Sequence, residues 1–193
     1  MIYETFIKSS SISPISYVTW HNEYPDLVIK HSLEYFFKNV KENKMKIVQW
    51  KLIHRILPTK KILYKWKVVD NSLCNKCLII EDYKHYFIEC DSLKELNKFL
   101  DNFYKSQGFY KNLIDLRYYI FGYKIKIPQY ASLNQIITTV VYAIYKTYYI
   151  SEQKTKNINP LDIFKCEIRK MYETLIYQKI NPPTLLENIH KLC

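Results

Sequence analysis

Apolar residues recur at intervals of three and four over several long segments, the spacing of helices that bury one face. The clearest example is KMKIVQWKLIHRI, residues 44–56. Three of its basic residues, Lys44, Lys51 and Arg55, fall on one narrow stripe of a helical wheel. This pattern predicts a largely buried helix with one exposed basic stripe. Apolar residues cover most of its remaining surface: Met45, Ile47, Trp50, Leu52, Ile53 and Ile56.

Helix start and stop signals predict the other elements. A helix is expected from Pro25, with its apolar face ending at Val40, and a second one after the Leu57-Pro58 break, with Thr59 as its cap. Ser92 and Glu95 form a capping-box pattern, and Gly108 suits a helix end. An apolar helix is expected over 133–150. Asn159-Pro160 opens a last helix with apolar residues facing inward at Leu161, Phe164, Ile168, Met171 and Leu175.

Three of the five cysteines and one of the five histidines lie in SLCNKCLIIEDYKHYFIEC, residues 72–90. The residues Cys74, Cys77, His85 and Cys90 have a spacing typical of a zinc site, since zinc takes four thiolate and imidazole ligands. Four ligands close the site, so a structural role is expected and not a catalytic one. Chance clustering of buried cysteines is the alternative, and a Cys74–Cys77 disulfide is disfavoured because its loop is so small.

These patterns together predict a mostly α protein: a small helical domain with an embedded CCHC zinc element, formed as a short hairpin or loop, and a C-terminal helical extension. The expected boundaries are an irregular segment at 1–24, a helical region at 25–108 with the zinc element at 74–90, a C-terminal helical region at 109–180 and a tail at 181–193.

Basic residues dominate one segment of the chain. The formal net charge is +11, and between residues 44 and 67 there are basic residues but no acidic ones: Lys44, Lys46, Lys51, Arg55, Lys60, Lys61, Lys65 and Lys67. Trp50, Tyr64 and Trp66 lie among them. Lysines that follow a phosphate backbone, with aromatic rings for base stacking, favour contact with single-stranded RNA or DNA. The alternative is that the lysines are solvated helix faces; Trp50 is expected in the core, and Trp66 fits either interpretation.

Composition excludes several classes of protein. Only two glycines occur, so a glycine-rich phosphate loop is excluded. The most apolar stretch, 133–150, is interrupted by Asn134, Gln135 and Lys146, which favours a buried helix and no membrane partner. The N-terminus shows no secretory signal pattern, and the clustered cysteines indicate a reducing, intracellular location in the nucleus or cytoplasm.

The run WKLIHRILPTKKILYKWKVVDNSLCNKC followed by HYFIEC resembles a known family, the zinc-binding region near the C-terminus of non-LTR (LINE-type) retrotransposon reverse transcriptases. The resemblance is strong over about 44–100 and weaker to about 178. Two positions depart from the family pattern, Leu78 in place of glycine and Lys84 in place of an acidic residue. The resemblance implies a module that holds template RNA or target DNA beside a polymerase.

This chain contains no adjacent Asp pair, so it lacks the paired carboxylates of a polymerase site and no enzyme activity is expected. The residues proposed to contact nucleic acid are Lys44, Lys51, Arg55, Lys60, Lys61, Lys65, Trp66 and Lys67. One alternative is a zinc-stabilised module that docks onto the polymerase domain. A remote alternative is a restriction-like nuclease using Asp26, Glu42 and Lys44, which would require these residues on adjacent strands around a metal.

Overall fold

A computed structural model describes residues 15–25, 40, 42–123, 132–154 and 158–193. This part of the chain is mostly helical and contains no strand, as the sequence predicts. Its α-helices are α1 (Ile15–Glu23), α2 (Asn43–Ile53), α3 (Lys60–Lys65), α4 (Lys94–Ser106), α5 (Leu116–Phe121), α6 (Leu133–Lys154), α7 (Pro160–Tyr177) and α8 (Thr184–His190). A π-helical turn (His85–Glu89) and a 3-10 turn (Asp91–Leu93) precede α4.

The helix α6 forms the centre of the core. It packs against α2, α5, α7 and α8, and most of its first three turns are completely buried. The expectation of a buried helix over 133–150 is therefore confirmed. Within the described residues, no helix combines the length and apolar character needed to cross a membrane.

The helix α1 occupies part of a segment for which the sequence indicates irregular structure. Trp20 anchors it: the indole is 1% exposed and donates a hydrogen bond of 2.8 Å to the Ile53 carbonyl at the end of α2. The guanidinium of Arg55 lies 3.9 Å from the centre of the Trp20 ring. The sequence does not reveal α1 because this helix is stabilised by contacts with distant residues and not by an apolar periodicity of its own.

The helix α8 lies where an irregular tail is expected. Leu185, Leu186 and Ile189 are buried, and α8 packs on α7. The helix α7 ends at Tyr177, before Pro182 and Pro183, where Lys179 takes the left-handed conformation with φ 55°. Pro183 then occupies the N-cap position of α8. The segment 181–193 thus contains a helix that packs on the core through three buried side chains, and it is not an irregular tail.

Several helix ends follow the sequence signals and others do not. Gly108 has φ 80° and ends α4 with the paired hydrogen bonds of a Schellman motif, from Phe109 to Tyr104 and from Gly108 to Lys105. Asn159 caps α7 through its side chain. The expected Ser92–Glu95 capping box is absent, because the 3-10 turn comes first and Leu93 takes the N-cap position.

The helix α2 is less buried than its apolar residues suggest. Met45, Leu52 and Ile53 are in the core, whereas Ile47 is exposed, as is Ile56 beyond the end of the helix. Trp50, expected in the core, is also exposed. Gln49 is buried instead, since its amide donates to the carbonyls of Tyr119 and Ile120 at the end of α5. The helix predicted from Pro25 lies outside the described residues, apart from Pro25 itself, an exposed turn residue, and Val40, which is buried.

Candidate metal centre and basic surface

Cys74, Cys77, His85 and Cys90 come together in space, with their ligand atoms all within 4.8 Å of one another. The Sγ atoms of Cys74 and Cys77 each lie 3.8 Å from Sγ of Cys90. All five cysteines of the chain are free, so the Cys74–Cys77 disulfide is not formed. The structure thus assembles the four residues that the sequence spacing predicts as ligands.

A tight hairpin positions the first two cysteines. Leu73 and Ile80 form an isolated antiparallel bridge, and the Leu78 N–H donates to the Cys74 carbonyl at 2.9 Å. Leu78 has φ 57°, the left-handed region that favours glycine. The position where the resembling family carries glycine therefore keeps the glycine-type turn, with a leucine that is 72% exposed.

A π-helical turn positions the other two residues. The Cys90 N–H donates to the His85 carbonyl, five residues earlier, at 2.9 Å. Residues five apart point about 140° away from each other in an α-helix. A turn closed over five residues brings them to the same side. The π-helical turn thus lets His85 and Cys90, with four residues between them, act as a pair of metal ligands.

The arrangement fits zinc. A tetrahedral site with zinc–sulfur bonds of about 2.3 Å has sulfur–sulfur edges of about 3.8 Å, which is the separation of the Cys90 sulfur from those of Cys74 and Cys77. His85 is 2% exposed, and neither of its ring nitrogens has a hydrogen-bond partner among the described residues. A buried imidazole without a partner is costly, and a metal ion would satisfy the nitrogen facing the sulfurs.

Neighbouring polar groups already face the sulfur atoms. The Asp91 N–H donates to Sγ of Cys77 at 3.3 Å, and Oγ of Ser92 lies 3.1 Å from Sγ of Cys90. Burial raises the pKa of Cys90 to about 11 despite the lowering effect of Ser92. The protein alone therefore favours the thiol, and a cation is needed to stabilise the thiolate there.

The basic residues of 44–67 divide into two groups. Lys61, Lys65, Trp66 and Lys67, on α3 and directly after it, are exposed, with Trp66 at 53%. Lys61 lies 3.6 Å from Asp82, whereas no ion pair of the described residues includes Lys65 or Lys67. Lys51 is partly exposed on α2. We call Lys61, Tyr64, Lys65, Trp66 and Lys67 the α3 surface.

The other predicted contacts lie elsewhere. Lys44 is bound to the buried carboxylate of Glu167 on α7 at 2.8 Å, and Arg55 is bound to Glu23 on α1 at 2.7 Å. Lys60 is only 9% exposed and donates to Asn75 inside the cysteine hairpin. The prediction that Lys60 is a surface contact is therefore wrong, because the side chain is buried. In the basic stripe expected on α2, the first and last residues, Lys44 and Arg55, are both engaged in ion pairs.

The nuclease arrangement does not form in the described part of the chain. Glu42 and Lys44 lie at the start of the helix α2 and not on a strand, and Lys44 is paired with Glu167. Asp26, the third residue of that hypothesis, lies outside the described residues.

Two acidic residues were missed by sequence reasoning. Glu81 is buried, and its Oε1 accepts from the Lys60 N–H. Glu167 is buried and accepts hydrogen bonds of 2.8 Å from both Lys44 and Lys146. Glu167 lies between the apolar positions Phe164 and Ile168 of α7, which was the available signal that it faces inward.

The fold and the cluster define a mostly helical module with a Cys3His metal-binding element. Residues 16–96, less than half of the chain, match the family described as zinc-binding in reverse transcriptase. The match supports a reverse transcriptase zinc-binding domain in this part of the chain, and together with the Cys3His donor set it points to zinc. That family is an accessory domain and not a catalytic one. No curated protein and no solved structure matches the chain.

Proposed function

We propose that this protein is a non-catalytic module in which a structural zinc ion stabilises a surface that binds single-stranded RNA or DNA. The exposure of the α3 surface is the observation that supports this function. Three lysines and two aromatic side chains, Tyr64 and Trp66, lie open to solvent within seven residues. Lysines at this density attract a phosphate backbone, and the exposed rings offer faces for base stacking.

The zinc element is connected to the α3 surface by hydrogen bonds at the start of α3. Glu81 follows the hairpin directly, and its side chain and carbonyl accept from the first two N–H groups of α3. A metal ion bound by Cys74, Cys77, His85 and Cys90 would fix the hairpin and thereby the start of α3. The metal would therefore act on binding through the position of the helix and without contacting the ligand.

The proposal extends to the nucleic acid that is bound and to the compartment. The chain is similar to the C-terminal part of LINE-type reverse transcriptases, in which the ligand would be template RNA or target DNA beside a polymerase. Free cysteines throughout the chain suit a reducing compartment, the nucleus or cytoplasm.

A salt titration with fluorescent single-stranded oligonucleotides tests the function. The triple variant Lys61→Gln, Lys65→Gln, Lys67→Gln should weaken binding at least about tenfold and reduce the salt slope by about two, since each phosphate contact on a single strand contributes about 0.7. The matched control is Lys94→Gln, Lys98→Gln, Lys105→Gln, which removes the same charge from exposed positions of another helix, α4. Equal effects of the two triple variants would show that the α3 surface contributes only through the net charge of the protein. A wild type with no measurable binding would refute the proposal.

The alternative, docking onto a polymerase domain, is favoured by a different observation. Five exposed apolar residues lie between α3 and Glu81: Val68, Leu73, Leu78, Ile79 and Ile80. Docking predicts that Leu78→Ser with Ile79→Ser weakens association with a reverse transcriptase polymerase domain and leaves oligonucleotide affinity unchanged. Loss of oligonucleotide affinity in this variant would instead assign the apolar residues to the nucleic-acid surface.

A further inference from the structure

Lys60 differs from the other lysines of its segment. It is 9% exposed, and its ammonium donates to Oδ1 of Asn75, the residue between Cys74 and Lys76 in the hairpin. None of the ion pairs among the described residues includes this ammonium. A charge removed from water to this extent is costly unless an opposite charge lies nearby.

The side chain of Lys60 shares a small cavity with the metal ligands. The cavity has a volume of about 130 Å³, and its wall includes Lys60, Cys74, His85 and Cys90. Two more charged residues, Glu81 and Lys76, also line it. The Glu81 carboxylate accepts from the backbone N–H of Lys60, a neutral donor that leaves its negative charge in the cavity, and Lys76 is exposed.

The ligand set itself defines the charge of the loaded centre. Three thiolates carry three negative charges, a neutral imidazole carries none, and a divalent cation supplies two positive charges. The centre therefore has a net charge of about −1 when zinc is bound. Cys74 and Cys90 are both buried, so water screens this charge only weakly.

We propose that the buried ammonium of Lys60 balances the negative charge of the zinc-loaded centre. Lys60 is a positioning residue for the metal site: it stabilises the thiolates electrostatically and coordinates nothing itself. This inference rests on the structural zinc of the proposed function but not on nucleic-acid binding. It explains why one lysine of a basic run points inward, next to the hairpin that carries two of the ligands.

A purely structural role for Lys60 makes a different prediction. In that case the hydrogen bond to Asn75 matters, and the charge does not. A neutral side chain that donates the same bond would then replace lysine, and loss of Asn75 would be as harmful as loss of Lys60.

The test compares the full chain with Lys60→Gln, Lys60→Arg, Asn75→Ala and the control Lys61→Gln, which removes an exposed lysine from the next position. Zinc affinity is measured by competition with a chromogenic chelator. Lys60→Gln should bind zinc about 10- to 100-fold more weakly, as is usual when a residue that supports metal ligands is lost. Lys60→Arg and Asn75→Ala should stay within about threefold of the wild type, because both keep the cation in the cavity.

A second measurement reports on the sulfur atoms. With zinc bound, iodoacetamide should alkylate the thiolates of Lys60→Gln several times faster than those of the wild type, since a thiolate without a neighbouring cation is the stronger nucleophile. Zinc release, followed with the same chelator, gives the rate. Lys61→Gln should react at the wild-type rate.

The inference is overturned by wild-type affinity and alkylation rate in Lys60→Gln, or by a Lys60→Arg variant as defective as Lys60→Gln. If Lys60→Gln is recovered only unfolded, the other two variants decide, because affinity retained in both supports charge balance and affinity lost in either contradicts it. A wild type that binds oligonucleotides but no zinc would refute the inference and the structural zinc on which it rests, but not nucleic-acid binding. Normal zinc binding without oligonucleotide binding would refute only the nucleic-acid function.

Discussion

Glu81 accepts a hydrogen bond from the backbone N–H of Lys60, with 2.9 Å between Oε1 and the nitrogen. Its own carbonyl accepts from the Lys61 N–H at 3.2 Å. Glu81, which follows the cysteine hairpin, thus accepts hydrogen bonds from two of the N–H groups that have no partner within the helix at its N-terminus. Thr59 occupies the N-cap position that the sequence predicts but makes no side-chain capping bond.

Replacement of Glu81 should therefore destabilise the protein. We expect Glu81→Ala to lower the free energy of unfolding by about 1–2 kcal/mol, because the first N–H of α3 loses its partner in a buried position. Urea denaturation measures the change. The control Glu89→Ala, which removes an exposed ion pair with Lys84, should change stability by less than about 0.5 kcal/mol. Equal effects would show that the capping bond contributes little.

Leu78 offers a stabilising substitution. A left-handed residue with a side chain is strained by about 1–2 kcal/mol, part of which glycine loses again through its greater freedom when unfolded. We expect Leu78→Gly to raise the free energy of unfolding of the zinc-loaded protein by about 0.5–1 kcal/mol, as measured by denaturation. The neighbouring Ile79 is not among the described residues with positive φ, so Ile79→Gly should destabilise. Destabilisation by both variants would mean that the Leu78 side chain contributes to packing.

Glu167 should make the helical core sensitive to acid. Burial works against its ionisation, but the hydrogen bonds and charges of Lys146 and Lys44 prevail and lower its pKa to about 2, from an ordinary value of 4.5. The folded pKa is the lower one, so the stabilisation is fully present above about pH 4.5 and is lost as the pH falls towards 2.

We expect Glu167→Gln to lower the free energy of unfolding by about 1–2 kcal/mol at pH 7, a discounted value because the lysines are partly solvated. The difference from the wild type should shrink at pH 3 and below. Denaturant titrations at both pH values measure this. Glu187→Gln, an exposed pair with Lys191, is the control and should have little effect at either pH. A difference that is constant with pH would contradict the role of the Glu167 charge.

Metal removal should act locally first. We expect a strong chelator at neutral pH to release zinc, lower the thermal midpoint and weaken oligonucleotide binding, since the hairpin loses the cross-link that holds Glu81 against α3. Cys77→Ser should reproduce these changes, whereas Cys166→Ser should not, because Cys166 is exposed and outside the cluster. Circular dichroism should show that most helical signal remains, since α6, α7 and α8 also pack against one another. An unchanged midpoint would argue against a structural metal.

The ligand set could be predicted from the sequence because a metal site depends on residue types at short spacings. Asn159 at the start of α7, Gly108 at the end of α4 and the inward face of α7 were predictable for a similar reason: each is a local pattern. Trp20 carried no such local signal, and its helix forms because the indole finds the Ile53 carbonyl 33 positions away.

By itself, the sequence determined the helical class, the four clustered ligands and the location of the basic segment, all of which depend on residues close together in the chain. Only the tertiary structure decided which basic residues face solvent. Lys44 and Arg55 form ion pairs with carboxylates on other helices, and Lys60 is buried against the hairpin. Lys65 and Lys67 are exposed to solvent. The physical reason is that burial and pairing of a charge depend on which elements pack beside it, and that packing is set by contacts between residues far apart in sequence.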